Sequence, residues 1–239
     1  MSLFSTEYEK FMEQKIVAVI PAAGVGSRMG AKENKVLLEI LGRPILAYTL
    51  DAFEACSLVH EIIIVAGEQD IFTYQEIVKK YQYKKIHKIV RGGKTRAESV
   101  CIGVNEAQDA DYVVVHDAAR ALIKEDVITK TIYKALETGA AIAAVPAVDT
   151  IKVAKDMTIQ KTLRRDTLWC AQTPQVFKRT LLQEALQKAG AEITDDASAL
   201  EMAGVLVALE MGSYENLKIT TPLDLVIAET VLTQRIKQL

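Results

Sequence analysis

Cysteine is scarce in this sequence, and the little there is excludes several classes. The three residues, Cys56, Cys101 and Cys170, are odd in number and far apart. They form neither a disulfide framework nor a zinc spacing, and a reducing, cytoplasmic compartment is the expectation. Long apolar runs are also missing. None approaches the roughly 18 residues that a membrane-spanning helix needs. The N-terminal MSLFSTEYEKFMEQK has no basic stretch leading into an apolar core. That argues against a secretory signal and for a loose leader or short surface helix. Neither charge sign is in excess: Lys plus Arg total 29, Asp plus Glu 31, and the net charge is -2. Such a balance argues against a broad nucleic-acid-binding face, while leaving room for a small cationic site. Histidine is rare as well. His60, His87 and His116 have no metal-spaced partners, and no Ser-His-Asp set or Cys-His pair suggests itself. No covalent intermediate is expected, and His116 reads as a positioned core histidine.

What is present is ordinary globular composition, 239 residues with 50% hydrophobic and 25% charged. That is enough for one large domain with a proper core. KIVAVIP (15–21), EIIIVAG (61–67), YVVVHD (112–117) and AAIAAVPA (140–147) are apolar almost without interruption. Parallel strands buried on both faces read this way. Helical spacing marks 44–56, 69–81, 96–107 and 125–138, with Pro44 suited to a first turn and Gly139 to a C-terminal cap. The alternation predicts an α/β protein: a Rossmann-like, doubly wound, mostly parallel sheet in a single domain.

The pattern breaks after Pro146. TIKVAKDMTIQKTLR (150–164) alternates with period two about a polar KDM turn, which predicts a hairpin. It belongs to an arm of about 147–175. A projecting hairpin is marginal alone, so docking on a second subunit is expected. Helices near 179–189 and 197–203, strands at VLVALEM (205–211) and NLKIT (216–220), and a helix from Pro222 complete the reading.

Ligands of open α/β sheets bind beyond the carboxyl ends of the strands. Four polar loops fall there. The first, VIPAAGVGSRMG (19–30), fails both standard glycine templates. G-x-G-x-x-G from Gly24 requires glycine where Met29 stands, and no Gly-Lys-Ser/Thr follows for a P-loop. Its small residues Ala22, Ala23, Gly24 and Gly26 let backbone amides approach an anion. Arg28 and Lys35 are either solvated cations or the charge that a reacting phosphoryl centre needs. In GGKTRAES, Thr95 and Glu98 suit a capping box, and Ser99 and Arg96 become functional only near a base or phosphate. In VVVHDAARA, Asp117 could hold Mg²⁺ or a ribose hydroxyl, or cap a turn. Thr194, Asp195 and Asp196 read first as helix caps. Lys218 is placed on a short strand. Arg164 and Arg165 form a cationic pair on the arm that is either solvated or reaches a phosphate on a neighbouring chain.

Taken together, PAAGVGSRMG, GGKTRAESV, VHDAAR, AVDTIK, LWCAQTPQVF, ITDDASALE and NLKIT strongly resemble the 2-C-methyl-D-erythritol 4-phosphate cytidylyltransferase family over about 16–232. The resemblance implies transfer of a cytidylyl group from CTP to the polyol phosphate, with release of pyrophosphate, in the non-mevalonate isoprenoid pathway. It implies backbone contacts from Ala22, Ala23 and Gly24 to CTP, and transition-state charge from Arg28 and Lys35. Gly93, Ser99 and Ala118 would recognise cytosine and ribose, with Asp117 near ribose and Mg²⁺. Asp117, Thr194 and Lys218 would meet the acceptor, with Thr150 and Arg165 reaching the partner subunit's site in a homodimer. Lys218 and Arg165 would hold the acceptor phosphate for in-line attack. No nucleic acid or membrane is implied.

Two departures stand out. Many relatives read P-K-Q where this chain has NKV (34–36), and many have proline where it has Ala121. Both bear on loop rigidity, not on charge. Ribitol 5-phosphate as acceptor is the close alternative, and PAAG with Arg165 before LWCAQTPQ favours methylerythritol phosphate. A non-catalytic nucleotide sensor on the same fold is the alternative of another class. The presence of Arg28, Lys35, Arg165 and Lys218 argues against it.

Overall fold

The computed structural model describes residues 13–24, 34–189 and 193–237. In chain order come β1 (Ile16–Ala22), the two-residue strands β2 (Glu39–Ile40) and β3 (Arg43–Pro44), α1 (Ile45–Ala55), β4 (Glu61–Ala66), α2 (Ile71–Tyr81) and β5 (Ile86–Arg91). Then follow α3 (Arg96–Glu106), β6 (Tyr112–Val115), α4 (Glu125–Thr138) and β7 (Ala140–Pro146). The last part holds β8 (Lys152–Lys155), β9 (Thr158–Thr162), β10 (Trp169–Lys178), α5 (Arg179–Lys188), α6 (Asp196–Met202), β11 (Ala208–Met211) and α7 (Pro222–Lys237).

Seven strands form one sheet in the order β11-β7-β10-β6-β1-β4-β5. All neighbours pair in parallel except β10, which runs antiparallel to both β6 and β7. The continuous hydrophobicity of the central strands has a simple cause. On β1, Ile16, Ala18 and Ile20 enter one core, while Val17 and Val19 enter the other. The first core is filled by α1, α2, α4 and α7 through Phe53, Tyr74, Ile132 and Leu232. The second is filled by α3, α5 and α6 through Val104, Leu182 and Leu200. Helices on both faces leave no surface of β1 for polar side chains.

The expected strands on the central rim and the four crossover helices are present. Three details differ. Pro44 caps α1 from a short strand instead of entering its first turn. NLKIT is no strand: it runs as irregular chain, tied to the sheet rim by the Ile219 amide donating to the Ala119 carbonyl at 2.9 Å. The largest difference is β10, a central strand where Pro174 discourages one. Residues 172–174 leave the ladder with β7, so the register shifts between Ala171 and Gln175 and the proline has no ladder bond to break.

The hairpin β8–β9 stands apart from the main sheet as its own antiparallel pair, every residue of both strands exposed. Its turn is Asp156 and Met157, with φ of 48° and 59°. Two consecutive left-handed residues make the tight turn that suits strand twist. The chain rejoins the sheet at Trp169, so the expected arm bound near 175 falls inside β10.

Candidate active site

The carboxyl ends of β1, β5, β6 and β7 open onto one rim, and two cavities lie there. The first, about 190 Å³, is lined by Ala22, Ala23 and Gly24 after β1, Lys35, Gly93 to Arg96 after β5, Ser99, Asp117, Ala118 and Lys218. The second, about 280 Å³, lies among Arg120, Gln172, Thr173, Gln175, Thr194 and Asp195. Arg96, Asp117 and Lys218 line both.

The first cavity is shaped by close backbone approach. A side chain on Gly92 would meet the Ala23 Cβ at 2.7 Å and the Ser99 Oγ at 2.9 Å, so only glycine lets the two loops touch. The Gly93 amide donates to Ser99 Oγ at 3.1 Å, and that hydroxyl donates to the Thr95 carbonyl at 2.9 Å. Thr95 caps α3 by accepting from the Glu98 amide. Glu98 reaches back to the Lys94 amide at 2.6 Å, one residue earlier than a capping box requires. Helix α3 thus presents its N-terminus, with its partial positive charge, to the cavity.

Lys35 opens a short 3-10 turn, Lys35–Leu37, whose cap is Asn34. The Asn34 amide nitrogen donates to the Ala22 carbonyl at 2.8 Å, to Asp70 at 2.8 Å and to the Tyr74 hydroxyl at 3.0 Å. The residue that departs from the commoner proline therefore supplies its own anchor. Arg28 lies outside the described residues.

Asp117 is the electrostatic centre. Its Oδ1 accepts from Arg96 Nε at 3.0 Å, and its Oδ2 faces Lys218 Nζ at 3.0 Å and Arg120 Nε at 3.4 Å. Burial works to raise this carboxyl, but Arg96, Lys218 and Arg120 together hold it well below the ordinary carboxylate range. Its amide donates to Thr173 Oγ1 at 3.0 Å, and that oxygen is 3.0 Å from His116 Nδ1. The threonine hydroxyl then donates to Nδ1, leaving Nε2 protonated toward the Arg120 carbonyl at 3.4 Å. His116 is fully buried, and burial pushes it down to about 3. It is a neutral core histidine, as its sequence setting suggested.

Some expected residues fall elsewhere. Thr150 and Arg165 are exposed on the arm and line neither cavity of their own chain. Arg165 donates to the Val148 carbonyl at 2.8 Å. Asp195 caps α6 in a capping box with Ser198, whereas Asp196, expected as a cap, is fully buried against Arg96.

Comparison with known proteins decides the family. The profile of IspD, 2-C-methyl-D-erythritol 4-phosphate cytidylyltransferase, matches residues 16–234. The chain belongs to this family. Curated cytidylyltransferases of the same description from Bacillus licheniformis and Clostridium acetobutylicum are 45% and 46% identical. Each alignment covers 90% of this chain, and 94% and 96% of the relatives respectively. The crystal structure of 4-diphosphocytidyl-2C-methyl-D-erythritol synthase from Anaerococcus prevotii superposes with a TM-score of 0.82 at 31% identity, covering 92% of this chain and 99% of that one. The cytidylyltransferase of Thermus thermophilus gives 0.75 at 30% identity, with the same coverage. The chain is thus an enzyme of the nucleotidyltransferase class.

Within this cytidylyltransferase frame, sequence reasoning missed one cation, Arg120, and left the partners of another, Arg96, open. Arg120 donates to the Asn216 carbonyl at 2.7 Å and faces Asp117, lining the second cavity. Arg96 was open to a phosphate role, but its partners are two carboxylates. The signal that points to Arg120 is its place in DAAR, three residues after an aspartate on the rim, within reach of that carboxylate along the turn.

Proposed function

We propose that the chain transfers a cytidylyl group from CTP to 2-C-methyl-D-erythritol 4-phosphate. The products are 4-diphosphocytidyl-2-C-methyl-D-erythritol and pyrophosphate, in the non-mevalonate isoprenoid pathway. One observation supports the assignment of roles: two cavities share the wall Arg96, Asp117 and Lys218. The first takes CTP. Ala22, Ala23 and Gly24 offer backbone to the triphosphate, with Gly93, Ser99 and Ala118 around cytosine and ribose. The second takes the acceptor between Thr194 and Asp117, with Lys218 at the boundary where the reacting groups meet.

The acceptor phosphate attacks the α-phosphorus of CTP in line. A phosphorus–oxygen bond forms as the bond to the β-phosphate bridging oxygen breaks, and pyrophosphate leaves with the electron pair. No protein base is needed, because a phosphate monoester loses its second proton at about pH 6. Arg28, Lys35 and Lys218 stabilise charge that grows in the transition state.

A divalent cation at Asp117 does not fit this arrangement. Both carboxylate oxygens are already engaged by three cations. Among the described residues no group of three or more His, Cys, Asp or Glu is placed to hold a metal. A hard cation would instead be held by triphosphate oxygens.

Thr150 and Arg165 act in trans, in a homodimer. Support comes from the arm, whose Val148, Val153, Met157, Ile159 and Trp169 are all exposed. An arm that exposes this many large apolar side chains calls for a covering surface. The three free cysteines Cys56, Cys101 and Cys170 suit a cytoplasmic setting, and no described helix is long and apolar enough to cross a membrane.

The deciding experiment is pyrophosphate release from CTP with each of two acceptors. Turnover with methylerythritol phosphate is expected. Turnover with ribitol 5-phosphate alone overturns the assignment.

A further inference from the structure

The wall between the two cavities is held by a pair that no role in the reaction accounts for. Arg96 is the first residue of α3, and Asp196 is the first residue of α6. They are 100 residues apart in sequence, yet Arg96 Nη1 and Nη2 donate to the two oxygens of Asp196 at 3.0 and 2.8 Å. The remaining nitrogen, Nε, donates to Asp117 Oδ1 at 3.0 Å. One guanidinium therefore fixes three segments: the Gly92 to Arg96 loop, the Asp117 turn, and the loop with Thr194 and Asp195.

The shape of this contact suits arginine alone. A planar fork engages one carboxylate with two parallel bonds and still has a third direction free for another. A lysine offers a point charge and cannot fix both planes. Asp196 is wholly buried, so its contact is with Arg96 and not with ligand. Burial raises its carboxyl above the ordinary value, with the Arg96 guanidinium pulling the other way. A buried carboxylate is costly unless paired, which makes Asp196 an anchor for the arginine.

We propose that Arg96, anchored by Asp196, is a positioning residue for the acceptor site. It sets the orientation of Asp117 and the distance between Asp117 and Thr194, the two groups between which the polyol phosphate sits. Loosening it disturbs the acceptor cavity more than the CTP cavity, most of whose lining comes from other residues of the loops after β1 and β5. The inference rests on the assignment of the second cavity to the acceptor.

The test is steady-state kinetics of Asp196→Asn and Arg96→Lys, with Thr194→Ala as reference. Asp196→Asn keeps shape and one acceptor atom but loses the charge. Arg96→Lys keeps the charge but loses the fork, and stands in if Asp196→Asn fails to fold. Each is expected to raise the acceptor KM about tenfold or more, in line with lost bidentate hydrogen bonds to charged groups. The CTP KM is expected to move less than about twofold in Asp196→Asn, whose side chain lines neither cavity, and less than the acceptor KM in Arg96→Lys, whose side chain lines both. Equal rises in both KM values, or an unchanged acceptor KM, overturn the proposal, because a merely structural pair behaves that way. If Thr194→Ala itself leaves the acceptor KM unchanged, the cavity assignment fails, and the proposal with it. If Thr194→Ala raises that KM while the other two variants do not, only the positioning role fails.

Discussion

The side-chain amide of Asn34 donates to the backbone carbonyl of Ala22 at 2.8 Å. This bond ties the turn that carries Lys35 to the exit of β1, where the small-residue loop begins. The Tyr74 hydroxyl on α2 donates to the same carbonyl at 2.9 Å, and Asp70 accepts from the same Asn34 amide nitrogen. The cluster is buried, so each polar group depends on the others.

Asn34→Ala removes the turn's cap and leaves Asp70 short of a donor. We expect a loss of about 1–3 kcal/mol of stability, the usual cost of a buried polar group left unpaired. Turnover falls as well, because Lys35 loses its fixed mount. Thermal unfolding and initial rates check both, and a variant with wild-type melting and rate contradicts the tie.

Lys35→Ala is expected to reduce turnover by about 10²-fold or more, as removal of a preorganised electrostatic group does. Because the charge matters most in the transition state, kcat carries more of the loss than the CTP KM. Undiminished kcat sinks the assigned role.

Acid stability reports on His116. Its folded value lies near 3, against about 6.5 in an unfolded chain. Below pH 6.5 the unfolded chain takes up a proton that the folded core refuses. The contribution is therefore complete above about pH 6.5 and declines toward pH 3, by up to about 1.4 kcal/mol per unit. Asp117, held low by its cations, adds a loss only below about pH 4, the unfolded carboxylate range. Urea unfolding between about pH 6.5 and 4.5 covers the histidine's window, in which the raised Asp196 carboxyl acts in the opposite sense, so the difference between wild type and a His116 variant is the readout. His116→Asn should flatten the slope in that window, and an unchanged slope refutes the assignment.

Sharing of sites between subunits predicts complementation. Arg165→Ala and Lys35→Ala chains are each expected to be nearly inactive alone. In a mixed dimer both defects gather in one site and leave the other intact. Co-refolding equal amounts should restore roughly a quarter of wild-type activity, since about half the dimers are mixed and each has one good site. No recovery in dimers shown to be mixed places Arg165 outside its partner's site.

The sequence by itself determined the layered core. The runs at 15–21, 61–67, 112–117 and 140–147 are apolar on both faces, and only a sheet covered by helices on both sides buries them. It also determined the hairpin about Asp156 and Met157, since period-two alternation and a polar turn are local signals. The rim loops were legible because small residues and cations recur after those strands. What the sequence did not disclose depends on contacts between distant segments. Strand β10 hides behind Pro174, which is tolerated only because the ladder breaks there. Asp196 looked like a cap, and only the approach of two helix ends brings it onto Arg96. Asp117 looked open to a metal until folding brought Arg96, Arg120 and Lys218 around it. Local pattern specifies which face of a segment is buried. Which charge meets which is decided by tertiary structure, because Coulomb attraction acts through space and not along the chain.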